Sequence, residues 1–118
     1  MYKTTVVEIG ELVSDFEEDQ LVVLFGPQAT PELRSICVIH EGEEVAKDVL
    51  ESGKKILFGT QEYTIREVGS AANETFNELG HVSIYFKDDA EELLPGAVMV
   101  TPSQFPLIQL GDTIKITA

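Results

Sequence analysis

Apolar and polar residues alternate with a period of two along much of the chain. Thr4-Thr5-Val6-Val7-Glu8-Ile9 runs to Gly10, Leu21-Val22-Val23-Leu24-Phe25 to Gly26-Pro27, and Ser35-Ile36-Cys37-Val38-Ile39-His40 toward Gly42. Runs of β-branched residues closed by glycine or proline predict strands. Lys54 to Phe58 and Gln61 to Val68 flank Gly59-Thr60, a two-residue hairpin signal. Further strands are predicted over His81 to Phe86, Ala97 to Thr101 and Thr113 to Thr117. Helical signals are short. Thr30-Pro31 opens about one turn through Arg34, with threonine as the capping residue. Ser70 to Leu79 carries Phe76 and Leu79 at helical spacing, with Gly80 as its stop. Glu43 to Glu51 is polar and reads as helix or loop.

A leucine followed closely by a glycine precedes three of these strands: Leu50 with Gly53, Leu94 with Gly96, and Leu110 with Gly111. A glycine there can take positive φ and turn the chain sharply into a curved sheet. The spacing is irregular, so it marks a local device and no repeat architecture. The fold expected is mostly β: a single-domain small β-barrel over residues 1–118, with about six to eight strands and one or two short helices.

Charge narrows the partners. The 118 residues hold 21 acidic and 8 basic side chains, a formal charge of −13, which disfavours nucleic acid and anionic membrane surfaces. A hydrophobic share of 43% nevertheless supports a packed core, so the charge does not signal disorder. A protein with a basic face is the expected partner. The single cysteine, Cys37, excludes an internal disulfide. The chain shows no apolar run of signal-peptide or membrane-span length, its longest being Leu21 to Phe25, and a cytoplasmic location is expected.

Two residues titrate near neutrality without perturbation, His40 and His81, and both fall at ends of expected strands. Alternation places His40 with Val38 and Ile36 on one face and Cys37 with Ile39 on the other. A Cys37–His40 nucleophile pair is therefore disfavoured. A neutral imidazole at the end of a stiff strand can attack phosphorus, and backbone N–H groups near Gly42 would bind phosphoryl oxygens. The plainer alternative is a histidine bonded to a loop carbonyl. His81, with Ser83 and Tyr85 on the more polar face of its strand, would approach His40 across a barrel or remain a half-exposed strand residue. One cysteine and two distant histidines fall short of a structural zinc site, although a metal-binding domain using His40, His81 and Cys37 is a weaker possibility. No phosphate-loop or dinucleotide fingerprint occurs. The acidic clusters Asp15 to Asp19 and Asp88 to Glu92 read as solvated loops. Arg34 precedes the His40 strand, Lys47 follows it and Arg66 sits mid-strand, each a surface residue unless it serves a bound phosphate.

Val68-Gly69-Ser70-Ala71-Ala72 followed by Glu78-Leu79-Gly80-His81-Val82-Ser83-Ile84-Tyr85-Phe86, together with Cys37-Val38-Ile39-His40 and Leu94-Pro95-Gly96-Ala97-Val98, resembles the enzyme IIA component of the glucitol/sorbitol-specific phosphoenolpyruvate-dependent sugar phosphotransferase system. Tyr2 to Val6 and Ile9-Gly10 look like that family's first strand. The resemblance implies a phosphocarrier that takes a phosphoryl group on a histidine from the carrier protein HPr and passes it to the IIB part of the sugar permease. It implies His40 as phosphoacceptor and His81 in support. After His40 the chain reads Glu41-Gly42-Glu43, where relatives can carry another histidine, and the absence of one here simplifies the assignment. The scheme requires no metal or organic cofactor and no contact with the sugar. Transfer between two imidazoles would be nearly isoenergetic, with the ring's other nitrogen held by a backbone carbonyl or by Glu41. The alternative class is a non-catalytic acidic β-barrel that docks a basic partner.

Overall fold

The computed structural model of the chain describes residues 1–43, 48–87 and 93–117. Among these, eight strands close into one barrel: β1 (Tyr2–Ile9), β2 (Leu21–Phe25), β3 (Val38–Gly42), β4 (Lys55–Phe58), β5 (Gln61–Val68), β6 (Val82–Tyr85), β7 (Ala97–Thr101) and β8 (Thr113–Thr117). Around the barrel the order is β1-β3-β2-β6-β7-β5-β4-β8, and β8 pairs back onto β1. Closure leaves no free edge, which is how a small all-β domain escapes edge-to-edge association. The barrel expected from the alternating pattern is the barrel observed.

Two neighbouring pairs are parallel, β2 with β3 and β6 with β7, and the others are antiparallel. A parallel pair cannot be joined by a tight hairpin and needs a crossover. Between β2 and β3 that crossover holds α1 (Pro31–Arg34), with Thr30 in an extended conformation before it. Thr30 caps by backbone conformation alone, since its side chain makes no capping bond. β4 and β5 form the expected hairpin, with Phe58 opposite Gln61 and Gly59 at φ +63°. The ladders shift register between Val6 and Glu8 in β1 and between Ile65 and Glu67 in β5. Such irregularities raise local twist and help a short sheet curl shut.

Each strand turns alternate residues inward. Val22 and Leu24, Ile56 and Phe58, Val98 and Val100, Ile114 and Ile116 fill the same interior. α2 (Ala72–Leu79) adds Ala72 and Phe76 to that core. A second, smaller cluster lies on the other side of β2 and β3: Phe25, Ala29, Cys37 and Ile39, with Val23, Leu33 and Ile36 against it.

Several expected details differ. β3 begins at Val38 and runs through Glu41 and Gly42, so His40 is inside the strand and not at its end. Ile36 lies in a turn and packs on the outer cluster, away from the face of Val38 and His40. α2 starts at Ala72, two residues later than expected, because Gly69 and Ala71 give their N–H groups to the carbonyls of Ala97 and Pro95. β6 starts at Val82, leaving His81 just ahead of it. Of the three glycines after leucines, Gly53 (φ +95°) and Gly111 (φ +86°) take positive φ, and Gly96 does not. Part of the 43–51 segment and the Asp88 to Glu92 cluster lie outside the described residues. No described helix is long and apolar enough to cross a membrane.

Candidate functional site

In β1 the inward positions are Tyr2, Thr4 and Val6, and in β3 they are Val38 and His40. Antiparallel pairing sets Val6 opposite His40 and Thr4 opposite Gly42, so Thr4 and His40 are diagonal neighbours on one face. Thr4 and His40 are the two buried polar residues among the described ones, at 2% and 3% exposure. They are bonded to each other, with Thr4 Oγ1 2.8 Å from His40 Nδ1. A buried polar side chain is stable only when its bonding capacity is met, and these two meet it jointly.

The other ring nitrogen reaches toward the surface. His40 Nε2 lies 2.8 Å from the carbonyl oxygen of Gly80. Gly80 ends α2 in the left-handed conformation, φ +68°, and its N–H bonds the Phe76 carbonyl at 2.9 Å. That αL cap turns the chain back over the imidazole. A Cβ on Gly80 would sit 3.1 Å from His40 Nε2 and 3.0 Å from the Gly26 nitrogen. Gly26 is held in turn, donating its N–H to the Leu79 carbonyl at 2.9 Å. Phe76 stacks on the His40 ring, centroids 5.7 Å apart and planes 15° from parallel, and also meets Tyr2 edge-on.

A carbonyl only accepts, so Nε2 carries the hydrogen in this resting arrangement and Nδ1 accepts from the Thr4 hydroxyl. Burial pushes the His40 pKa below the usual histidine range, and the bond to Gly80 opposes that only in part. The ring is therefore neutral at pH 7, its hydrogen on Nε2 and its lone pair on Nδ1. Above it opens a hollow of about 230 Å³ bordered by Gly26, Gly42 and Gly80, by Tyr2, Phe76 and Leu79, and by Glu41, Glu43 and Glu78. Gly42 lets β1 and β3 pack closely beside the hollow, since a Cβ there would collide with Thr4 Cα at 2.6 Å. Gln28 and Asn77 also border it, each spending an amide hydrogen on a neighbour: Leu79 O at 3.0 Å and Asp48 Oδ1 at 3.0 Å.

A search against protein families matches residues 1–115 to the glucitol/sorbitol-specific IIA component of the PTS, the sugar phosphotransferase system. The chain belongs to this family. It is 35% identical over 115 residues to the glucitol/sorbitol-specific EIIA components of Shigella flexneri and of Escherichia coli K12, covering 98% of this chain and 93% of each relative. Its fold superposes on the crystal structure of a PTS IIA component from Enterococcus faecalis V583 with a TM-score of 0.91, at 32% identity, over 98% of this chain and 99% of that one. The resemblance carried by the Gly69, His40 and Gly80-His81 stretches thus extends over the whole barrel. As a IIA component the chain works in phosphoryl transfer among the proteins of such a system.

Within this IIA fold the other expected residues divide. His81 is not among the residues bordering the hollow; its ring stacks on Phe25, centroids 4.8 Å apart, on the outer-cluster side of the barrel wall. Its backbone touches α2, accepting from Thr75 Oγ1 at 2.9 Å and donating to the Thr75 carbonyl at 3.3 Å. Burial lowers its pKa as well. Arg34 ion-pairs with Glu8 at 2.6 Å and bonds the carbonyls of Ala29 and Pro27, so it braces the 27–29 loop and does not face the ring. Arg66 bonds Thr101 Oγ1, and Lys47 lies outside the described residues. Glu41 borders the hollow, yet the ring's partners are Thr4 and Gly80. Cys37, just ahead of β3, is buried in the outer cluster with its thiol pushed up to about 11 by burial. Among the described residues no cluster of three His, Cys, Asp or Glu side chains could hold a metal.

Thr4, Phe76 and Gly80 escaped the reading of the sequence. A signal existed for Thr4, a hydroxyl at an inward position between Tyr2 and Val6. None existed for the Gly80 carbonyl, which depends on where α2 ends in space.

Proposed function

We propose that His40 accepts a phosphoryl group from phospho-HPr and passes it to the IIB part of a glucitol/sorbitol permease, whose IIC part carries the hexitol across the membrane. The observation that carries this is the neutral, doubly anchored His40 ring beneath a hollow walled by three glycines. A ring held at both nitrogens and by a parallel aromatic face presents one edge to an incoming phosphorus, and positioning of that kind supplies much of the catalysis in phosphoryl transfer. Nε2 is the nitrogen on the hollow side, since Gly80 borders the hollow and Thr4 does not. Among the described residues Gln28 and Asn77 each spend one amide hydrogen, leaving the other for phosphoryl oxygens.

Glu41, Glu43 and Glu78 border the hollow and no described cation does. A phosphoryl dianion beside carboxylates is repelled, which keeps the group easy to pass on. The same carboxylates favour a donor and an acceptor with basic faces, as the overall charge of −13 does. His81 supports the site from outside it: its stack on Phe25 and its bonds to Thr75 hold the turn that presents the Gly80 carbonyl. The exchange runs at the cytoplasmic side of the permease and uses no cofactor.

The test is labelling with phosphoenolpyruvate, enzyme I and HPr. Wild type should take up acid-labile, alkali-stable phosphate, and His40→Gln should take up none. Label retained by His40→Gln would remove the site assignment, and an unlabelled wild type would remove the carrier function.

A further inference from the structure

The His40 ring is held in the tautomer that cannot react. With its hydrogen on Nε2, facing Gly80, the nitrogen at the hollow has no lone pair to offer. Attack from Nε2 requires the other tautomer, with the hydrogen on Nδ1. That hydrogen points toward Thr4 Oγ1, 2.8 Å away, inside a largely apolar barrel.

We propose that the Thr4 hydroxyl is the positioning group that makes the reactive tautomer accessible, by reversing its hydrogen bond to Nδ1 from donor to acceptor. This rests on His40 being the phosphoacceptor. A hydroxyl carries one hydrogen and two lone pairs, so it serves either tautomer without moving its oxygen. The Gly80 carbonyl cannot reverse, and favours only the resting form. The two partners therefore have unequal roles: Gly80 holds the ring closed and Thr4 permits it to open. When Thr4 accepts from Nδ1–H, its own hydrogen turns away from the ring.

The step balances without a co-reactant beyond the donor. The Nε2 lone pair forms the new N–P bond as the N–P bond of a donor ring protonated on its other nitrogen breaks, its electron pair staying on the donor, which leaves as a neutral imidazole. The His40 ring becomes the N-phosphoryl imidazolium, its Nδ1–H held by Thr4 Oγ1 and its charge offset by the phosphoryl oxygens. The Gly80 carbonyl gives up its place beside Nε2 to the phosphoryl group, so the turn at Gly80 shifts on phosphorylation.

Two variants and one spectrum test this. Thr4→Val keeps the shape and removes the hydroxyl; Thr4→Ser keeps the hydroxyl. With phosphoenolpyruvate, enzyme I and HPr, Thr4→Val should take label about 10- to 100-fold more slowly than wild type, the scale on which lost positioning slows a reaction. Thr4→Ser should recover to within about 3-fold of wild type, because the reversible hydroxyl is restored. Nitrogen NMR of the wild-type imidazole should show the hydrogen on Nε2 at rest, and phosphorus on Nε2 with the hydrogen on Nδ1 after labelling. In Thr4→Val the resting ring should remain in the Nε2–H form. Thr4→Val labelled at the wild-type rate, Thr4→Ser as slow as Thr4→Val, or phosphorus on Nδ1 would each overturn the role of Thr4. The wild-type spectra decide the matter even if Thr4→Val does not fold: a resting Nδ1–H ring would overturn it. A wild type that takes no label at all removes the carrier reading, a result distinct from label on His40 that is indifferent to Thr4.

Discussion

His40 and His81 keep different company in the barrel, and the contrast bears on which imidazole is proposed as phosphoacceptor. Both are lowered in pKa by burial, and both stack on a phenylalanine. His40 faces the barrel interior, its two nitrogens committed to Thr4 and Gly80. His81 stands over the small outer cluster, where its stack on Phe25 is the contact that orients the ring. Burial alone therefore does not distinguish them. What does is that both His40 nitrogens are bonded, one to a hydroxyl and one to a carbonyl, at a ring that borders the hollow.

The phenylalanines offer the sharpest way to break this contrast. Phe76 is almost wholly buried and joins the barrel core to the His40 ring, whereas Phe25 closes the rim of the smaller cluster. Phe76→Ala should lose about 3–5 kcal/mol of unfolding free energy, and Phe25→Ala should fall nearer the lower end of that range. Urea midpoints measure both. At equal fraction folded, Phe25→Ala should still be phosphorylated and Phe76→Ala should label poorly, having lost the plane that aligns the ring. If the two variants labelled alike, the stack on Phe76 would be ordinary core packing.

A smaller effect separates two ways in which His81 could act. His81→Gln should slow labelling by only a few-fold, because a stacking pair of this kind contributes about 0.5–1.5 kcal/mol. His81→Phe, which keeps a ring on Phe25 and discards the imidazole nitrogens, should recover most of that loss. Recovery would place His81 as a brace of the Gly80 turn. A His81→Phe variant slower than His81→Gln would mean that the imidazole itself meets the phosphoryl group.

The legibility of these features in the sequence follows their range. Period-two alternation in Gln61 to Val68 and Thr113 to Thr117 marks strands because inward and outward positions on a barrel differ in solvent, and the continuous apolar run Leu21 to Phe25 marks one because Gly26-Pro27 closes it. It also placed Cys37 and His40 on opposite faces. It misplaced Ile36, since the pattern continues into a turn that packs on a second cluster. It set β3's end too early, because Glu41-Gly42 look like a loop until Thr4 and Thr5 are paired against them. The cations failed for the same reason: Arg34 was near His40 in the chain and is committed to Glu8 and the 27–29 loop in space. Partners 36 and 40 residues away, Thr4 and Gly80, leave no local pattern at His40.

The last difference between the histidines is how each ties stability to pH. His40 has a folded-state pKa below its unfolded value, the burial effect outweighing the bond to Gly80. Between the lowered value and the unfolded value of about 6.5, the unfolded chain binds more protons than the folded one, so stability rises with pH through that window. The contribution is complete above about pH 6.5 and is lost as the pH falls through the folded-state value. His81 shifts in the same direction, but its ring stands partly in solvent, which weakens the desolvation that causes the shift. Urea midpoints measured from about pH 7.5 down to about pH 5.5 should decline in wild type and decline less in His40→Gln. His81→Gln should remove the smaller share of the slope. A His40→Gln variant with the wild-type slope would show that His40 is protonated as readily in the barrel as in the unfolded chain, and the neutral, poised ring that separates it from His81 would be gone.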